Sequence, residues 1–449
     1  MKKASFALSF FFIFISFSFL KAEFWKYNLG SFSVGKQPVG FIYDDMNKTI
    51  NIFCAGYDAN FDGAKGDEDK SPSWWQASLI EPNNPESKII EEPYLVKEFE
   101  FGSFQFPFRP GYSYPMIYYS SNNIIETYNI GNAEKVANDL PGISSSAITA
   151  NKNYLLISHR PSFTEPGYVH IFDLTKNLFI DTLNAGVNVQ QTFFYKNEKI
   201  IVLNEGDFGA ANSSVQIFKK NGEKYELEKN IITGDGSNHI TIVNDILIVT
   251  NNASHDLTII DLTKNEILKK IKLPTEGFSG PRETIYSPKL NQIITSTYNG
   301  KVYVHNFEGD LLETIETEGN PEGLLLIESP VPLLFVANEF IKESYEPNSS
   351  FQIFSNKVLS KDEISNNKPE FILNSFTNTI EINNTDFQNN YLSIMIFNSL
   401  GKLIHKEQKI LSEIKISIDL SSLNLANGSY FLIIQDNFIT HSYPFILAK

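Results

Sequence analysis

Cysteine is almost missing from this chain of 449 residues, since Cys54 is its single thiol. One cysteine cannot form an internal disulfide, and it cannot build a metal site of several thiolates. Cys54 ends the mainly apolar stretch 50–54, so we expect a small buried side chain and not a nucleophile. Disulfide frameworks and multi-cysteine metal centres are therefore excluded.

Positive charge is also scarce. The sequence has 37 Lys and Arg against 52 Asp and Glu, which gives a formal net charge of −15. Proteins that bind nucleic acid or anionic membrane surfaces carry basic patches, so neither is an expected partner. Hydrophobic residues make up 42% of the chain and charged residues 20%, which is typical of a globular protein.

Familiar catalytic motifs are missing as well. The chain has no Gly-x-Ser-x-Gly, no His-Glu-x-x-His and no phosphate-binding loop. Its 7 histidines are not spaced as metal ligands. The sequence therefore predicts no catalytic residue, and whether the protein is an enzyme stays open with a preference against it.

Long apolar runs are confined to the N-terminus. Lys2 and Lys3 precede an apolar stretch at residues 4–20. This pattern predicts a signal peptide at residues 1–22, cut before Glu23. The alternative is a membrane anchor, because the run approaches spanning length. We expect no transmembrane segment in the mature protein.

Aromatic residues and a repeat are what the chain has in abundance, with 37 Phe and 20 Tyr. A short strand motif with alternating apolar residues returns every 42–48 residues. Such a period is typical of propeller blades. The fold class predicted is therefore all-β, a seven-bladed β-propeller over residues 23–355. The seven motifs centre on Leu79, Glu126, Phe172, Phe218, Ile260, His305 and Ile353.

Each repeat reads as four strands, of which the second is the most apolar. Residues 199–204 are an example, and such a strand should be buried on both faces. The last repeat has only three strands before its end at Phe354, whereas a spare strand lies around residues 24–33. We predict that this N-terminal strand completes the last blade and closes the ring, which removes an open sheet edge.

The repeat region resembles the YVTN-type propellers of the quinoprotein-dehydrogenase-like superfamily. Residues 168–175 and 257–263, two strands that each end in a charged turn, carry the resemblance. Residues 203–209 are similar to surface propellers of Bacteroidota that capture nutrients beside outer-membrane transporters. Both likenesses imply a scaffold, and function does not follow from a fold.

The tail beyond Phe354 has another character. Residues 356–370 are a polar linker, and the alternating segments in 371–449 predict a small β-sandwich. The segments 396–402, 418–423 and 427–431 resemble the type A sorting domain of the type IX secretion system of Bacteroidota. This resemblance implies the secretion machinery as partner, removal of the tail, and a protein released or held at the cell surface. An ordinary adhesive module is the alternative.

One acidic loop has the spacing of a calcium site. Residues 58–69 follow the pattern Asp-x-Asn-x-Asp-Gly with an acid at the twelfth place. Calcium is the one cofactor that the sequence suggests, and a solvated acidic loop is the alternative. The candidate ligands are Asp58, Asn60, Asp62, Asp67 and Asp69.

Polar residues stand where each blade's first strand begins, and in a propeller these starts meet at one mouth of the central channel. A concave site with convergent polar groups is a candidate ligand site, although such side chains also line wet channels. The mouth should collect Arg109, Gln190, Gln191, Asn238, His239, Arg282, Glu283 and Glu322. Of these, the predicted ligand-binding residues are Arg109, Gln191, His239, Arg282, Glu283 and Glu322.

The loops after each second strand add candidates near one face, at residues 159–163, 204–209, 251–256 and 337–340. Together these features predict a secreted or surface-displayed propeller that binds a small nutrient, a glycan or a protein without catalysis. An extracellular hydrolase or lactonase using mouth residues is one alternative, and a calcium-stabilised adhesin is another. An aromatic-rimmed face would favour binding, and a metal held by carboxylates at the mouth would favour the enzyme.

Overall fold

The structure is a computed structural model in which part of the chain is described. The predicted signal peptide, most of the predicted linker, Arg109 and Asp62 lie outside the described residues. Those described are 24–60, 65–80, 89–101, 110–121, 124–132, 134–136, 140–141, 147–196, 198–328, 331–356, 371–374, 379–383, 391–398, 402–410, 415–423, 425–435 and 440–447.

The described residues from Tyr27 to Ser355 include seven antiparallel sheets of four strands. Strand β1 (Tyr27–Ser33) comes first, and blades 1 to 7 then begin with β2, β6, β10, β14, β18, β22 and β26 as their inner strands. Blades 1 to 3 contain β2 (Pro38–Asp44), β3 (Thr49–Cys54), β4 (Ser73–Ser78), β5 (Tyr94–Glu98), β6 (Gly111–Ser113), β7 (Met116–Ser121), β8 (Ile124–Asn129), β9 (Leu140–Pro141), β10 (Ala147–Ala150), β11 (Tyr154–His159), β12 (Pro166–Asp173) and β13 (Leu178–Val187). Blades 4 to 7 contain β14 (Val189–Tyr195), β15 (Lys199–Asn204), β16 (Ser213–Asn221), β17 (Lys224–Gly234), β18 (Ser237–Val243), β19 (Ile246–Asn251), β20 (Asp256–Asp261), β21 (Glu266–Lys272), β22 (Pro281–Ser287), β23 (Gln292–Thr297), β24 (Lys301–His305), β25 (Leu311–Glu316), β26 (Gly319–Ile327), β27 (Leu333–Ile341) and β28 (Pro347–Ser355).

The repeated sequence motif forms or borders the third strand of every blade, and the seven-bladed fold predicted from its period is confirmed. The core lies between neighbouring blades. Ile201 and Leu203 of blade 4, for example, belong to one buried cluster with Leu247 and Val249 of blade 5. Because successive side chains of a strand point to opposite faces, each second strand supplies apolar groups to the interfaces with both neighbouring blades. This is why the second strands are the most apolar.

The N-terminal strand closes the ring as predicted. β1 pairs antiparallel with β28, from Tyr27 opposite Ser355 to Ser33 opposite Ser350, and becomes the outer strand of blade 7. The residues just before it dock as well. Trp25 is buried between blades 6 and 7, and its indole N–H donates to Gln292 Oε1 at 3.1 Å. The backbone N–H of Trp25 donates to the Glu313 carboxylate at 3.0 Å.

Blades 7 and 1 meet through a close backbone approach at Gly323. A Cβ on this residue would lie 2.6 Å from the carbonyl oxygen of Val39 and 2.9 Å from the Cα of Gly40. The atoms in the way belong to the backbone and cannot rotate aside. We expect Gly323→Ala to destabilise the propeller by about 1–3 kcal/mol, as overpacking does. Denaturant unfolding measures this loss.

The matched control is Gly40→Ala. Gly40 occupies the equivalent place in blade 1, and a Cβ there would meet nothing within 4 Å. If both substitutions cost the same free energy of unfolding, backbone flexibility and not the contact at Gly323 would be the cause.

The tail forms two sheets that share one core, so the predicted β-sandwich is confirmed. The buried residues include Ile380 and Ile418 from the first sheet and Ile394 and Leu432 from the second. A short 3₁₀ turn lies at Ser421–Leu423. The first sheet has the order β29-β30-β33 and the second β32-β31-β34-β35, with β29 (Phe371–Asn374), β30 (Thr379–Asn383), β31 (Tyr391–Asn398), β32 (Leu403–Ile410), β33 (Lys415–Asp419), β34 (Gly428–Gln435) and β35 (Thr440–Leu447).

Two sequence expectations concern membranes and the thiol. Across the described ranges no helix has the length and apolarity needed to cross a bilayer.

Cys54 at the end of β3 is fully buried, and that burial raises the pKa of its thiol to about 12. The thiol is therefore protonated at neutral pH and packs as a small apolar group, as the sequence predicts.

Candidate functional site

A β-bulge recurs at the start of the inner strand in five blades. In each, the inner strand has one residue more than the second strand opposite it, and in blade 7 a further irregularity places an extra residue, Glu339, on the second strand. Bulges redirect side chains and end regular pairing, and they are common beside functional sites. The bulges contain Val39, Gln190, Asn238, Arg282 with Glu283, and Glu322 with Gly323.

Both groups of candidate residues therefore lie at one end of the channel, which we call the mouth. The inner and second strands of a blade are antiparallel, so the start of the first lies beside the end of the second. Arg160, Glu205, Tyr298 and Glu339 occur at or just after the ends of second strands. The loops that leave these strands, and those that enter each new blade, form the mouth face.

The centre of the mouth is an ionic group from blades 6 and 7. Arg282 Nε donates to Glu322 Oε2 at 2.6 Å, and the guanidinium lies over the Tyr298 ring, 4.5 Å from its centroid. The Tyr298 hydroxyl donates to Glu322 Oε2 at 2.9 Å and also hydrogen bonds with Glu339 Oε2. Glu322 is 1% exposed and Glu339 0% exposed. Two carboxyl groups thus share one phenol and one guanidinium in the buried centre of the mouth.

This crowding determines the protonation of Glu339. Burial, and then the negative charge of Glu322, raise the pKa of Glu339 to about 8, although Arg282 opposes them. One phenolic proton cannot satisfy two carboxylates, so a second proton on Glu339 removes the repulsion. Burial opposes charge on Arg282, but Glu322 outweighs it and keeps the pKa of the guanidinium above its usual value.

A second polar group comes from blades 3 and 4. Glu205 accepts hydrogen bonds from the amides of Asn188 at 2.6 Å and Gln190 at 2.5 Å. Arg160 Nη1 donates to Asn188 Oδ1 at 3.0 Å, and its guanidinium lies 4.2 Å from the centroid of the Phe163 ring. Burial raises the pKa of Glu205, while the charges of Arg282 and Arg160 oppose that rise. Glu205 therefore interacts electrostatically with the central group.

A third group links blades 4, 5 and 6. His239 Nε2 lies 3.8 Å from Glu283 Oε1, and Gln191 Oε1 accepts the backbone N–H of Ile240 at 2.8 Å. Asn238 is 6% exposed, and neither its Oδ1 nor its Nδ2 has a hydrogen-bond partner among the described residues. A buried amide without partners is costly, and it is the kind of group that a ligand or water satisfies.

Five of the six predicted ligand-binding residues lie at the mouth, namely Gln191, His239, Arg282, Glu283 and Glu322. Arg109 is outside the described residues. That they bind a ligand stays a prediction. Tyr298 was missed, although it follows its second strand at the place where Glu205 follows β15. Aligning the ends of second strands between blades would have found it.

Exposed aromatic side chains surround the mouth. Phe163, Phe208, Phe278 and Tyr345 lie on four different loops of the mouth face, and Phe278 is 82% exposed. Phe340 lies between the central ionic group and the exposed aromatic side chains. Its ring centroid is 5.5 Å from that of Tyr298 and 6.3 Å from that of Tyr345. A polar mouth with an aromatic rim is the arrangement that favours a binding site over an empty channel.

The predicted calcium loop also belongs to the mouth face, between β3 and β4. Asp69 is 5% exposed, and its two oxygens accept the backbone N–H groups of Ala59 at 2.7 Å and Gly66 at 2.5 Å. The carboxylate at the twelfth place therefore ties the loop together. No group of three metal-ligating side chains occurs among the described residues, which exclude Asp62. Calcium binding stays a prediction.

The protonation of Glu339 leads to a pH-dependent stability. The folded chain keeps a proton that the unfolded chain releases above the ordinary pKa of 4.5. This contribution to stability is complete below about pH 4.5 and is lost as the pH rises through about 8. We expect the free energy of unfolding of Glu339→Gln to rise relative to that of the wild type by up to about 1.4 kcal/mol per pH unit between pH 5 and 8.

Urea unfolding of both proteins at pH 5, 6.5 and 8 measures this difference. The exposed Glu223→Gln, at a turn on the opposite face, is the control and should keep a constant offset. A constant offset for Glu339→Gln as well would mean that Glu339 is already ionised in the fold.

The comparisons with known proteins identify the tail. Residues 374–447 match the family described as the secretion system C-terminal sorting domain. A search of curated proteins finds no match to the chain. The sorting domain marks proteins that the type IX system exports, so the protein is delivered to the cell surface or the extracellular space, and the secretion machinery is its partner.

Solved structures resemble the propeller. The structure of the Dos1 propeller has a TM-score of 0.51 at 13% identity and covers 73% of this chain and 94% of its own. The WD40 propeller domain of Doa1 has a TM-score of 0.46 at 11% identity, covering 72% and 98%. Hydrazine synthase of Kuenenia stuttgartiensis has a TM-score of 0.43 at 13% identity, covering 51% and 75%. The first of these supports the propeller fold and nothing further.

Proposed function

We propose that the protein is an exported, non-catalytic propeller that binds a ligand at the mouth. The rim of exposed aromatic side chains around a mouth of buried polar groups is the observation that carries this proposal. Aromatic rings gain contact area at little entropic cost, and they are enriched where proteins bind partners. Export through the sorting tail would present this face to molecules outside the cell.

The unpartnered groups of the mouth support the same function. Glu339 Oε1 and the amide of Asn238 are buried without hydrogen-bond partners among the described residues. A ligand that fills the mouth would supply the missing hydrogen bonds. The proposal extends to Gln191, His239, Arg282 and Glu283 as residues that contact or orient it.

Native mass spectrometry of the protein recovered from its source culture tests the proposal. We expect a bound molecule on the wild type and its loss from Phe163→Ala/Phe278→Ala, which removes two exposed rings. The double variant Met46→Ala/Tyr114→Ala, which removes two exposed side chains from the turns of the opposite face, is the control. A wild type without a bound molecule, or equal loss from both variants, would contradict the proposal.

A second candidate function is hydrolysis, and one specific pair favours it. Glu339 holds a proton beside Glu322, and a protonated carboxyl next to an ionised one can act as a general acid. Turnover of lactone or glycoside substrates that disappears in Glu339→Gln, with folding intact by circular dichroism, would establish this alternative in place of simple binding.

A further inference from the structure

The segment before the first strand is held by a carboxylate of blade 6. The backbone N–H of Phe24 donates to Glu313 Oε2 at 2.9 Å, and that of Trp25 donates to Glu313 Oε1 at 3.0 Å. Both donors precede β1, which is the outer strand of blade 7. A carboxylate of one blade therefore holds the chain at the start of the next blade's outer strand.

The same arrangement occurs once more in the ring. Glu313 directly follows the extra residue of a β-bulge between β24 and β25, and Asp181 follows the extra residue of the equivalent bulge between β12 and β13 in blade 3. Asp181 Oδ2 accepts the backbone N–H of Tyr225 at 3.4 Å, near the start of the outer strand of blade 4. The two acids thus have the same position in their blades and the same kind of partner.

The two positions differ in what precedes the held residues. Tyr225 lies in the middle of the chain, whereas Phe24 is one residue beyond the signal peptide cleavage that the sequence predicts before Glu23. Such a cut converts the backbone nitrogen of Glu23 into an ammonium group. We propose that Glu313 is the binding site of this N-terminal ammonium group, and that signal peptide removal thereby strengthens the closure of the ring. The inference is independent of what the mouth binds.

Covalent geometry limits how far the ammonium group can be from the carboxylate. Backbone nitrogens of neighbouring residues are at most about 3.6 Å apart. Because Phe24 N is 2.9 Å from Glu313 Oε2, the nitrogen of Glu23 lies within about 6.5 Å of that oxygen. Opposite unit charges at this separation attract each other even in water. In the uncleaved precursor the same nitrogen belongs to a neutral peptide bond and lacks this attraction.

The held segment is part of the closure itself. Trp25 is 3% exposed in the cluster between blades 6 and 7, and its indole N–H donates to Gln292. Two residues later the chain enters β1, which pairs with β28 and completes blade 7. A stronger contact at Glu313 therefore lowers the population of states in which β1 has separated from β28. Removal of the signal peptide is thus coupled to the stability of the last blade.

Urea unfolding at low salt of the chain that begins at Glu23, with a free or an acetylated N terminus, tests the inference. Acetylation replaces the ammonium group by a neutral amide, as in the precursor. All 3 Trp residues lie within the propeller, so their fluorescence follows its unfolding. At pH 7 we expect the unfolding constant of the free form to be at least about 3-fold smaller, the ratio for one pair of charges about 6.5 Å apart in water.

Matched variants locate the effect. Glu313→Gln should remove the difference between the free and acetylated forms, whereas Glu316→Gln, the same change of charge at the end of β25, should preserve it. Two glycines placed before Glu23 move the ammonium group away from Glu313 and should reduce the difference as well. This extension keeps the test decisive if Glu313→Gln does not fold.

Equal unfolding constants of the free and acetylated forms would overturn the inference, as would a difference that persists in Glu313→Gln and in the glycine extension. The intact mass of the exported protein gives its first residue, which we expect to be Glu23. A retained signal peptide, or a cut at another place, would overturn the inference too. Each of these outcomes leaves the proposed binding at the mouth intact.

Discussion

Replacing Trp25 by Ala is expected to destabilise the propeller by about 3–5 kcal/mol, the range for deleting a large buried aromatic side chain. Trp25 is 3% exposed and belongs to a cluster with Ile294 of blade 6 and Leu334 of blade 7. Its removal leaves a cavity at the joint between these blades and deprives Gln292 Oε1 of its donor. Denaturant unfolding followed by tryptophan and tyrosine fluorescence measures the loss.

Two neighbouring variants separate the causes. Trp25→Phe keeps most of the ring and loses the indole hydrogen bond to Gln292, so it should cost about 1–2 kcal/mol. Lys26→Ala changes an exposed residue of the same segment and should cost little. If Trp25→Ala proves no worse than Lys26→Ala, the segment before β1 does not hold the ring together.

Replacing Arg282 by Met has the second large effect. It leaves the carboxylate of Glu322 buried without its cation, and breaking a buried ion pair on one side costs about 3–5 kcal/mol. We expect Arg282→Met/Glu322→Gln to recover most of this loss, because no uncompensated charge then remains. Urea unfolding of the wild type, both single variants and the double variant completes the cycle.

The sign of the coupling decides between two roles for the pair. If the double variant is far more stable than the sum of the two single losses predicts, Arg282 acts mainly by neutralising Glu322. Additive losses would mean that each side chain acts through separate contacts. Ligand binding should be lost in the double variant even where its stability returns, since the mouth then lacks both charges.

The architecture could be predicted from the sequence because it repeats. Seven similar strand motifs at a steady spacing leave few alternatives to a ring, and a missing last strand beside a spare first strand indicates how the ring closes. The tail was equally legible, since its segments resemble a known family. A repeat and a family resemblance can both be recognised in a sequence without knowledge of any side-chain contact.

The chemistry of the mouth was harder to predict. The sequence predicts Glu322 as a ligand-binding residue and places Glu339 only in a loop. Both carboxyl groups contact the phenol of Tyr298, and this contact depends on the register of two blades. The acidic loop shows the opposite limit. The spacing of Asp58 and Asp69 suggests calcium ligands, but both carboxylate oxygens of Asp69 accept hydrogen bonds from backbone N–H groups. Spacing specifies which atoms are near, and not which partner each atom takes.

The pairing of β1 with β28 determines when the ring can close as the chain is synthesised. Tyr27 is among the first residues of the propeller to be synthesised, and its partner Ser355 is the last. The contact between Phe24 and Glu313 likewise joins groups 289 residues apart. Contacts of such long range form late and slow the completion of a fold. The seventh blade therefore stays incomplete until nearly the whole propeller has been synthesised, so that the ring becomes rigid only at the end.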